Sequence, residues 1–326
     1  MYRRSFGTRM RYLNFPSPLI VLVGPTAVGK TEFSIRLAQR IDAEIISADS
    51  RLFYKGMDIG TAKPTVEERG MVPHHLIDIA EPDEIMSLAV FQQQAEGCID
   101  EIHTRNRLPI LVGGTGQYIR AVIEGWKIPP QPARPLLRKA LEAWALETGK
   151  DGMHSRLRII DPEAAKQIDP ANLRRTIRAL EVIFLTGQKF STQRQRTARP
   201  YSLLIIGLTR PRPELYQRID QRIDEMVRKG LVNEVKGLLQ KGYSPDLPSL
   251  SAIGYREIIR YLNNEITLEE AVVLIKRSTR QFVRRQANWF KADDPAIRWF
   301  DMTDDVLDRV ESYIRSGEGW IPAEVE

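Results

Sequence analysis

The chain has 326 residues, of which 42% are hydrophobic, with one cysteine and a formal net charge of +6. This length and apolar content suffice for one large domain or two smaller ones. The single cysteine excludes an internal disulfide. The sequence contains neither a Cys/His cluster that would suggest zinc nor a run of eighteen apolar residues that would predict a membrane span. We therefore expect a cytoplasmic protein with no membrane association.

The first part of the chain alternates apolar strands with helical patterns. Residues 1–15 are basic, lack the apolar stretch of a secretory signal and are predicted to be a disordered extension, with a nucleic-acid-binding arm as the alternative. Strands are predicted at 19–23, 44–47 and 109–112, and helices at 30–41 and 88–103. Continuous apolar strands separated by helices predict an α/β fold, a parallel sheet with helices on both faces.

The pattern changes after Gly125, where four prolines follow within ten residues. Residues 126–199 are predicted to be an all-helical insertion, with helices at 136–146 and 172–185. A strand is predicted at 202–208, and helices at 214–229, 231–240, 255–262 and 268–290. We thus predict an α/β core of residues 16–125 and 200–305, interrupted by the insertion and followed by a C-terminal tail, 306–326.

Positive charge is concentrated in the insertion. Residues 126–200 contain 15 Lys and Arg against 7 Asp and Glu, a net charge of +8, which leaves −2 for the rest of the chain. A surface that follows a nucleic-acid backbone needs such a concentration. The alternative is a set of well-solvated helical faces.

A phosphate-binding motif lies between the first strand and its helix. Residues 24–31, GPTAVGKT, match G-x-x-x-x-G-K-[ST], and a chance match in a chain of this length is about one in a hundred. Backbone N–H groups, the Lys30 charge and the helix N-terminus would bind phosphate, and the Thr31 hydroxyl would hold Mg²⁺. The strand at 109–112 ends in glycines instead of an acid, which argues against a nucleotide-hydrolysing motor or switch.

An acidic residue follows the second predicted strand. In an open parallel sheet, residues just past the strand ends face the ligand crevice, so Asp49 is expected beside the phosphate loop. A carboxylate beside bound phosphate suits a group that accepts a proton from a nucleophile. A plain helix or turn cap is the alternative.

Seven segments together resemble the tRNA dimethylallyltransferases, and the resemblance extends from about residue 19 to 300. They are GPTAVGKT (24–31), ISADSR (46–51), GMDIGTAKP (56–64), PHHLID (73–78), VGGTG (112–116) with Tyr118, RALEV (178–182) and SAIGYR (251–256). The resemblance implies a P-loop NTPase-like fold and transfer of a dimethylallyl group from its diphosphate to N6 of adenosine 37 of tRNA. Gln117 departs from the leucine expected there, and no zinc finger like that of the eukaryotic members is present, which favours the bacterial type.

The resemblance also implies roles for individual residues. Asp49 would be the general base or hydrogen-bond acceptor for the adenine amine, with Thr31 and Arg222 as further catalytic groups and Thr31 as the Mg²⁺ ligand. The diphosphate would be held by Gly24, Pro25, Thr26, Ala27, Val28, Gly29, Lys30, Thr31 and Arg222. The anticodon stem-loop of tRNA would be contacted by Asp49, Ser50, Arg51, Leu52, Thr115, Arg138, Arg174, Arg175, Thr176, Ile177, Arg178, Ser251, Ala252, Ile253, Gly254, Tyr255 and Arg256.

Three other functions remain open at this point. An adenylate isopentenyltransferase would act on free adenine nucleotides, but it would not need a strongly basic insertion. A P-loop small-molecule kinase would transfer phosphate from ATP, and a non-catalytic RNA chaperone would not need an intact phosphate loop. Asp58 and Lys63, in the glycine-rich segment, are expected either to pair and fix that loop or to contact substrate. We expect a monomer.

Overall fold

The computed structural model describes residues 15–126, 128, 135–193 and 200–324. The predicted N-terminal extension lies outside the described residues except for Phe15, whose ring stacks on Trp320 with the ring centroids 5.0 Å apart. None of the helices within the described ranges is long and apolar enough to span a membrane.

A six-stranded parallel sheet forms the centre of the α/β core. Its strands are β1 (Pro18–Val23), β2 (Ala43–Ser47), β3 (His74–His75), β4 (Leu108–Val112), β5 (Ser202–Thr209) and β6 (Ile297–Asp301). They lie in the order β3-β2-β4-β1-β5-β6, and every pairing is parallel. The predicted fold class is confirmed. Because β1 is central, the loop that follows it opens at the middle of one edge of the sheet.

Both faces of the sheet are buried, as the uninterrupted apolar strands require. Successive residues of β1 alternate between two hydrophobic cores: Leu19 and Val21 belong to one, and Ile20 and Leu22 belong to the other. A strand with two buried faces shows no polar alternation, and for this reason its sequence reads as a continuous apolar run.

Twelve α-helices are described. They are α1 (Lys30–Ile41), α2 (Val66–Met71), α3 (Leu88–Thr104), α4 (Gly116–Ile123), α5 (Pro135–Ile160), α6 (Pro162–Gln167), α7 (Leu173–Thr186), α8 (Arg212–Arg228), α9 (Leu231–Gln240), α10 (Tyr255–Leu262), α11 (Leu268–Gln286) and α12 (Val306–Ser316). Side-chain caps fix several starts, and α11 begins at a capping box in which Thr267 and Glu270 bond each other's backbone N–H. The helix predicted for 268–290 ends four residues earlier, at Gln286.

Residues 124–197 form a compact unit of their own, and residues 1–123 with 198–326 form the other. The described residues of the smaller unit are helical, consisting of α5, α6, α7 and a short 3-10 helix at Phe190–Gln193. Its core includes Leu141, Met153 and Leu180. Helix α5 is interrupted at Gly149, where φ is 69°.

The boundary predicted at residue 305 was wrong, because the following segment is part of the core. Val306, Val310 and Ile314 of α12 are buried in the hydrophobic cluster on one face of the sheet. Beyond the helix, the N–H of Ile321 donates to the Leu203 carbonyl, and the N–H of Leu203 donates back. A free tail would expose these apolar side chains to water.

Candidate active site

The phosphate loop joins β1 to α1 and carries eight of the nine predicted diphosphate-binding residues, 24–31. Gly29, at φ 111°, adopts a left-handed conformation that side chains disfavour, and it is the N-cap residue of α1. The Lys30 ammonium donates to the carbonyls of Gly24 and Pro25, both at 2.9 Å. The lysine therefore closes the loop upon itself in the structure.

Three charged groups meet at this edge of the sheet. Burial lowers the pKa of Lys30 to about 8, the nearby charge of Asp49 opposes that shift, and the charge of Arg222 reinforces it. Burial likewise lowers the pKa of Arg222, again opposed by Asp49. The predicted base, the loop lysine and the predicted diphosphate arginine thus lie close enough to influence one another.

Asp49 follows β2, where the sequence predicted an acid at a strand end. Its carboxylate accepts the Arg51 N–H at 3.0 Å, which orients the side chain without neutralising it. The preceding residue, Ala48, donates its N–H to the Val112 carbonyl at the end of β4. The turn with Asp49 and the Gly-Gly-Thr-Gly loop with Thr115 are consequently neighbours at one edge of the sheet.

Two arginines that sequence reasoning did not select hold the outer side of the phosphate loop. Arg218 Nε donates to the Ala27 carbonyl at 2.8 Å, and Arg210 Nε donates to the Val28 carbonyl at 2.9 Å. The N–H of Val28, opposite the Ala27 carbonyl, donates to the Pro25 carbonyl at 3.3 Å, and the N–H of Gly29 lies on the side of its peptide unit opposite the carbonyl that Arg210 holds. The arginines lie near 210–222, far from the loop in sequence, and no local pattern relates them to it.

A second loop, residues 56–62, is fixed beside Arg222 by a partly buried network of hydrogen bonds. The Glu234 carboxylate accepts the backbone N–H groups of Asp58, Ile59 and Gly60 at 2.9, 2.7 and 3.1 Å. The loop in turn presents the Thr61 carbonyl to Arg222 Nη2 at 3.3 Å. Sequence reasoning also missed Glu234, whose partners in this loop lie more than 170 positions away.

Lys63 at the end of that segment fixes the loop instead of binding substrate. Its side chain is 2% exposed, and its ammonium lies 2.5 Å from carboxylate oxygens of both Asp58 and Asp78. It also donates to the Tyr54 carbonyl at 2.8 Å, while Arg69 pairs with the other oxygen of Asp78 at 2.8 Å. Every hydrogen of the ammonium has a protein partner, so the loop-fixing alternative is correct.

The predicted tRNA-contacting residues of the larger unit divide into accessible and buried ones. Asp49, Ser50, Arg51, Leu52, Thr115, Ser251, Ile253 and Arg256 are at least partly accessible. Ala252, Gly254 and Tyr255 are buried in this structure, and their contact with tRNA stays a prediction. The Tyr255 hydroxyl donates to Glu234 at 2.6 Å, and burial beside that carboxylate raises the tyrosine pKa.

The helical unit shows the same division. Arg174 is exposed and Arg175 is half-buried, whereas Thr176 and Ile177 lie in the interior of the unit, and their contact with tRNA likewise stays a prediction. Arg138 and Arg178 both pair with the buried carboxylate of Glu181, at 3.2 and 2.9 Å. Amphipathic α7 turns residues 176 and 177 inward because its apolar stripe faces the unit's own core.

A magnesium site would have to be built mainly from ligand oxygens. Among the described residues, no group of three or more His, Cys, Asp or Glu side chains could hold a metal ion. Thr31, in the first turn of α1, is exposed and carries a hydroxyl. Mg²⁺ commonly keeps several waters and takes one or two protein ligands together with phosphate oxygens, so this sparse donor set fits it.

A parallel sheet whose central strand leads into this loop, with a carboxylate and two partly buried cations at the same edge, defines an enzyme of the phosphate-binding-loop class. Comparison with known proteins refines the class. The IPP transferase model matches residues 52–293, and the isopentenyl transferase model matches residues 18–78. The chain belongs to the IPP transferase family.

The relatives in this family support the resemblance found in the sequence. The tRNA dimethylallyltransferase of Thermomicrobium roseum is 48% identical over 314 residues, covering 94% of this chain and 95% of the relative. That of Roseiflexus sp. strain RS-1 is 55% identical over 274 residues, covering 84% and 90%.

Solved structures of similar proteins support the same family. The tRNA isopentenylpyrophosphate transferase of Bacillus halodurans is 47% identical, with a TM-score of 0.68 and coverage of 92% of this chain and 95% of that one. A eukaryotic dimethylallyltransferase acting on tRNA is 29% identical, with a TM-score of 0.77 and coverage of 91% and 77%. The predicted family is confirmed.

Proposed function

We propose that this enzyme transfers a dimethylallyl group from dimethylallyl diphosphate to N6 of adenosine 37 in tRNA and releases diphosphate. Membership in a family of tRNA dimethylallyltransferases supports the prenylation of tRNA. The observation that carries the chemistry is the meeting of Asp49, Lys30 and Arg222 at one edge of the sheet.

The reaction first requires stabilisation of the leaving diphosphate. As the bond between N6 and the first carbon of the dimethylallyl group forms, the bond from that carbon to the diphosphate oxygen breaks and its electron pair leaves with the diphosphate. Lys30, Arg222 and the loop N–H groups stabilise this developing negative charge. Mg²⁺, held through Thr31 and the diphosphate oxygens, would supply further charge neutralisation.

The reaction also requires activation of the acceptor amine. An exocyclic adenine nitrogen is a weak nucleophile, and it sheds a proton as the new bond forms. Asp49 accepts this proton, or a hydrogen bond that orients the amine, from its position beside the leaving group. The adenine must leave its stack in the anticodon loop to reach this edge of the sheet.

The excess of positive charge in the helical unit supports binding of the tRNA backbone there, with the exposed Arg174 as a phosphate contact. Free adenine nucleotides are the alternative acceptors. A substrate that small would leave the charge of this unit without a role. We also propose that the enzyme acts as a monomer in the cytoplasm, which its single cysteine suits.

Mass spectrometry of tRNA nucleosides, after incubation with dimethylallyl diphosphate, tests the proposal. We expect N6-dimethylallyladenosine in tRNA and little product on AMP. Asp49→Asn should lower kcat at least about 100-fold, the lower range for general base catalysis, while tRNA affinity changes little. A preference for AMP would refute the acceptor, and near-normal transfer by Asp49→Asn would refute the role of the carboxylate.

A further inference from the structure

The side chain of Gln286 bridges the two loops that meet at the active edge of the sheet. It is the last residue of α11 and is 7% exposed. Its Oε1 accepts both the N–H of Thr26, at 2.9 Å, and the hydroxyl of Thr26, at 3.1 Å. Its Nε2 donates to the Gly114 carbonyl at 3.0 Å. One amide therefore joins the phosphate loop to the Gly-Gly-Thr-Gly loop.

This amide has a single productive orientation. A backbone N–H donates only and a backbone carbonyl accepts only, so turning the amide over would lose the bonds to both Thr26 N–H and Gly114. Because the group is buried, either unpaired partner would carry a desolvation cost. The bridge consequently fixes both its ends at once.

The support beneath Gln286 is firm. Earlier in α11, Lys276 pairs with Asp224 at 2.7 Å and Arg280 pairs with Asp220 at 2.5 Å, which ties α11 to α8 at two successive turns. Past the helix end, the Trp289 ring fills the space where Gly116 would carry a side chain. Helix α11 and the residues that follow it thus hold the Gly-Gly-Thr-Gly loop at two points and the phosphate loop at one.

We propose that Gln286 is a positioning residue of the transfer reaction, fixing the distance between the loop that holds the donor and the loop that carries Thr115 beside Asp49. The inference rests on the proposed function. Both polar ends of the side chain are engaged with the protein, so its effect on substrate is indirect. Transfer requires reacting atoms about 3–3.5 Å apart and aligned, and a 1 Å misplacement costs about 100-fold in rate.

Gln286→Met keeps the length of the side chain and removes all three hydrogen bonds. We expect kcat and the single-turnover rate on tRNA to fall about 10- to 100-fold, with the KM for dimethylallyl diphosphate and for tRNA within about threefold of wild type. Gln92→Met is the matched control, because Gln92 is 8% exposed and donates to Glu96 of its own helix, away from the two loops. The control should keep kcat within about twofold.

Gln286→Glu removes only the Gly114 half of the bridge and gives a second measurement if Gln286→Met does not fold. It keeps an acceptor for Thr26 but removes the donor to Gly114, so kcat should fall about as far as in Gln286→Met. Normal kcat in either variant, or a raised KM for tRNA with unchanged kcat, would overturn the positioning role. Absence of tRNA prenylation by the wild-type enzyme would instead overturn the proposed function, since the inference concerns only relative rates.

Discussion

Raising the pH from 7 to 9 should weaken binding of the donor diphosphate about tenfold. The cause is Lys30, whose pKa is lowered by burial from 10.5 to about 8. Below pH 8 the ammonium is protonated and attracts the diphosphate. Above pH 8 the ligand-free protein has lost this proton, and binding must first restore it.

The tenfold change in donor affinity follows from the protonated fraction of Lys30. With a pKa of about 8, roughly 90% of Lys30 is charged at pH 7 and roughly 10% at pH 9, and the apparent Kd rises in inverse proportion to that fraction. The terminal phosphate of the donor contributes little to the change, because its last ionisation lies near pH 6. At pH 8, binding should take up about half a proton per site.

Isothermal titration calorimetry with dimethylallyl diphosphate and no tRNA measures both quantities. Titrations in two buffers of different ionisation enthalpy give the proton uptake at pH 8. Lys30→Arg is the control, because a guanidinium stays charged throughout this range, so its affinity should be the same at pH 7 and pH 9. Equal wild-type affinity at the two pH values, or an equal loss in Lys30→Arg, would refute the assignment to Lys30.

Three further substitutions test the surrounding structure. Gly113→Ala would place a methyl group 2.6 Å from the Ala48 carbonyl oxygen and should lower the free energy of unfolding by about 1–3 kcal/mol. Gly97→Ala, in open space on α3, should raise the free energy of unfolding by about 0.5–1 kcal/mol. Chemical denaturation measures both, and equal effects of the two substitutions would refute the packing argument. Glu234→Gln should cost about 1–3 kcal/mol by the same measurement and reduce kcat, because the loop beside Arg222 loses its charged acceptor; an unchanged denaturation midpoint would contradict the network. Arg174→Ala should weaken tRNA binding and lower the slope of log K for tRNA against log salt concentration by about one, while the affinity for the donor stays constant. An unaltered slope would show that Arg174 does not contact the tRNA backbone.

The elements with strong local signals were predicted almost to the residue. Helices α1, α9 and α10 have the predicted bounds, because each combines an apolar stripe with a glycine at or just before its start. Strand β3 has only two residues, too few for any period to be visible, and β6 carries an exposed Arg298 within an edge strand. Helix α12 was taken for a tail although its stripe of Val306, Val310 and Ile314 was present in the sequence.

The candidate site likewise contains residues that the sequence predicted and residues that it did not. The phosphate loop is contiguous in sequence, and the carboxylate at a strand end follows from the rule for parallel sheets, so both could be predicted. Arg218, Glu234 and Gln286 act through hydrogen bonds to backbone groups more than 170 residues away. A hydrogen bond of this kind leaves no periodicity and no motif, and only the folded chain reveals it.

The buried Lys63 also constrains how this family of sequences could change. Its charge is balanced by Asp58 and Asp78, and Arg69 completes the set. Lys63 is the deeply buried member, with a side chain 2% exposed against 59% for Asp58 and 28% for Asp78, so removal of both carboxylates would leave its charge uncompensated in the interior, at a typical cost of about 3–5 kcal/mol. We therefore expect sequences that keep Lys63 to keep an acidic residue at position 58 or 78.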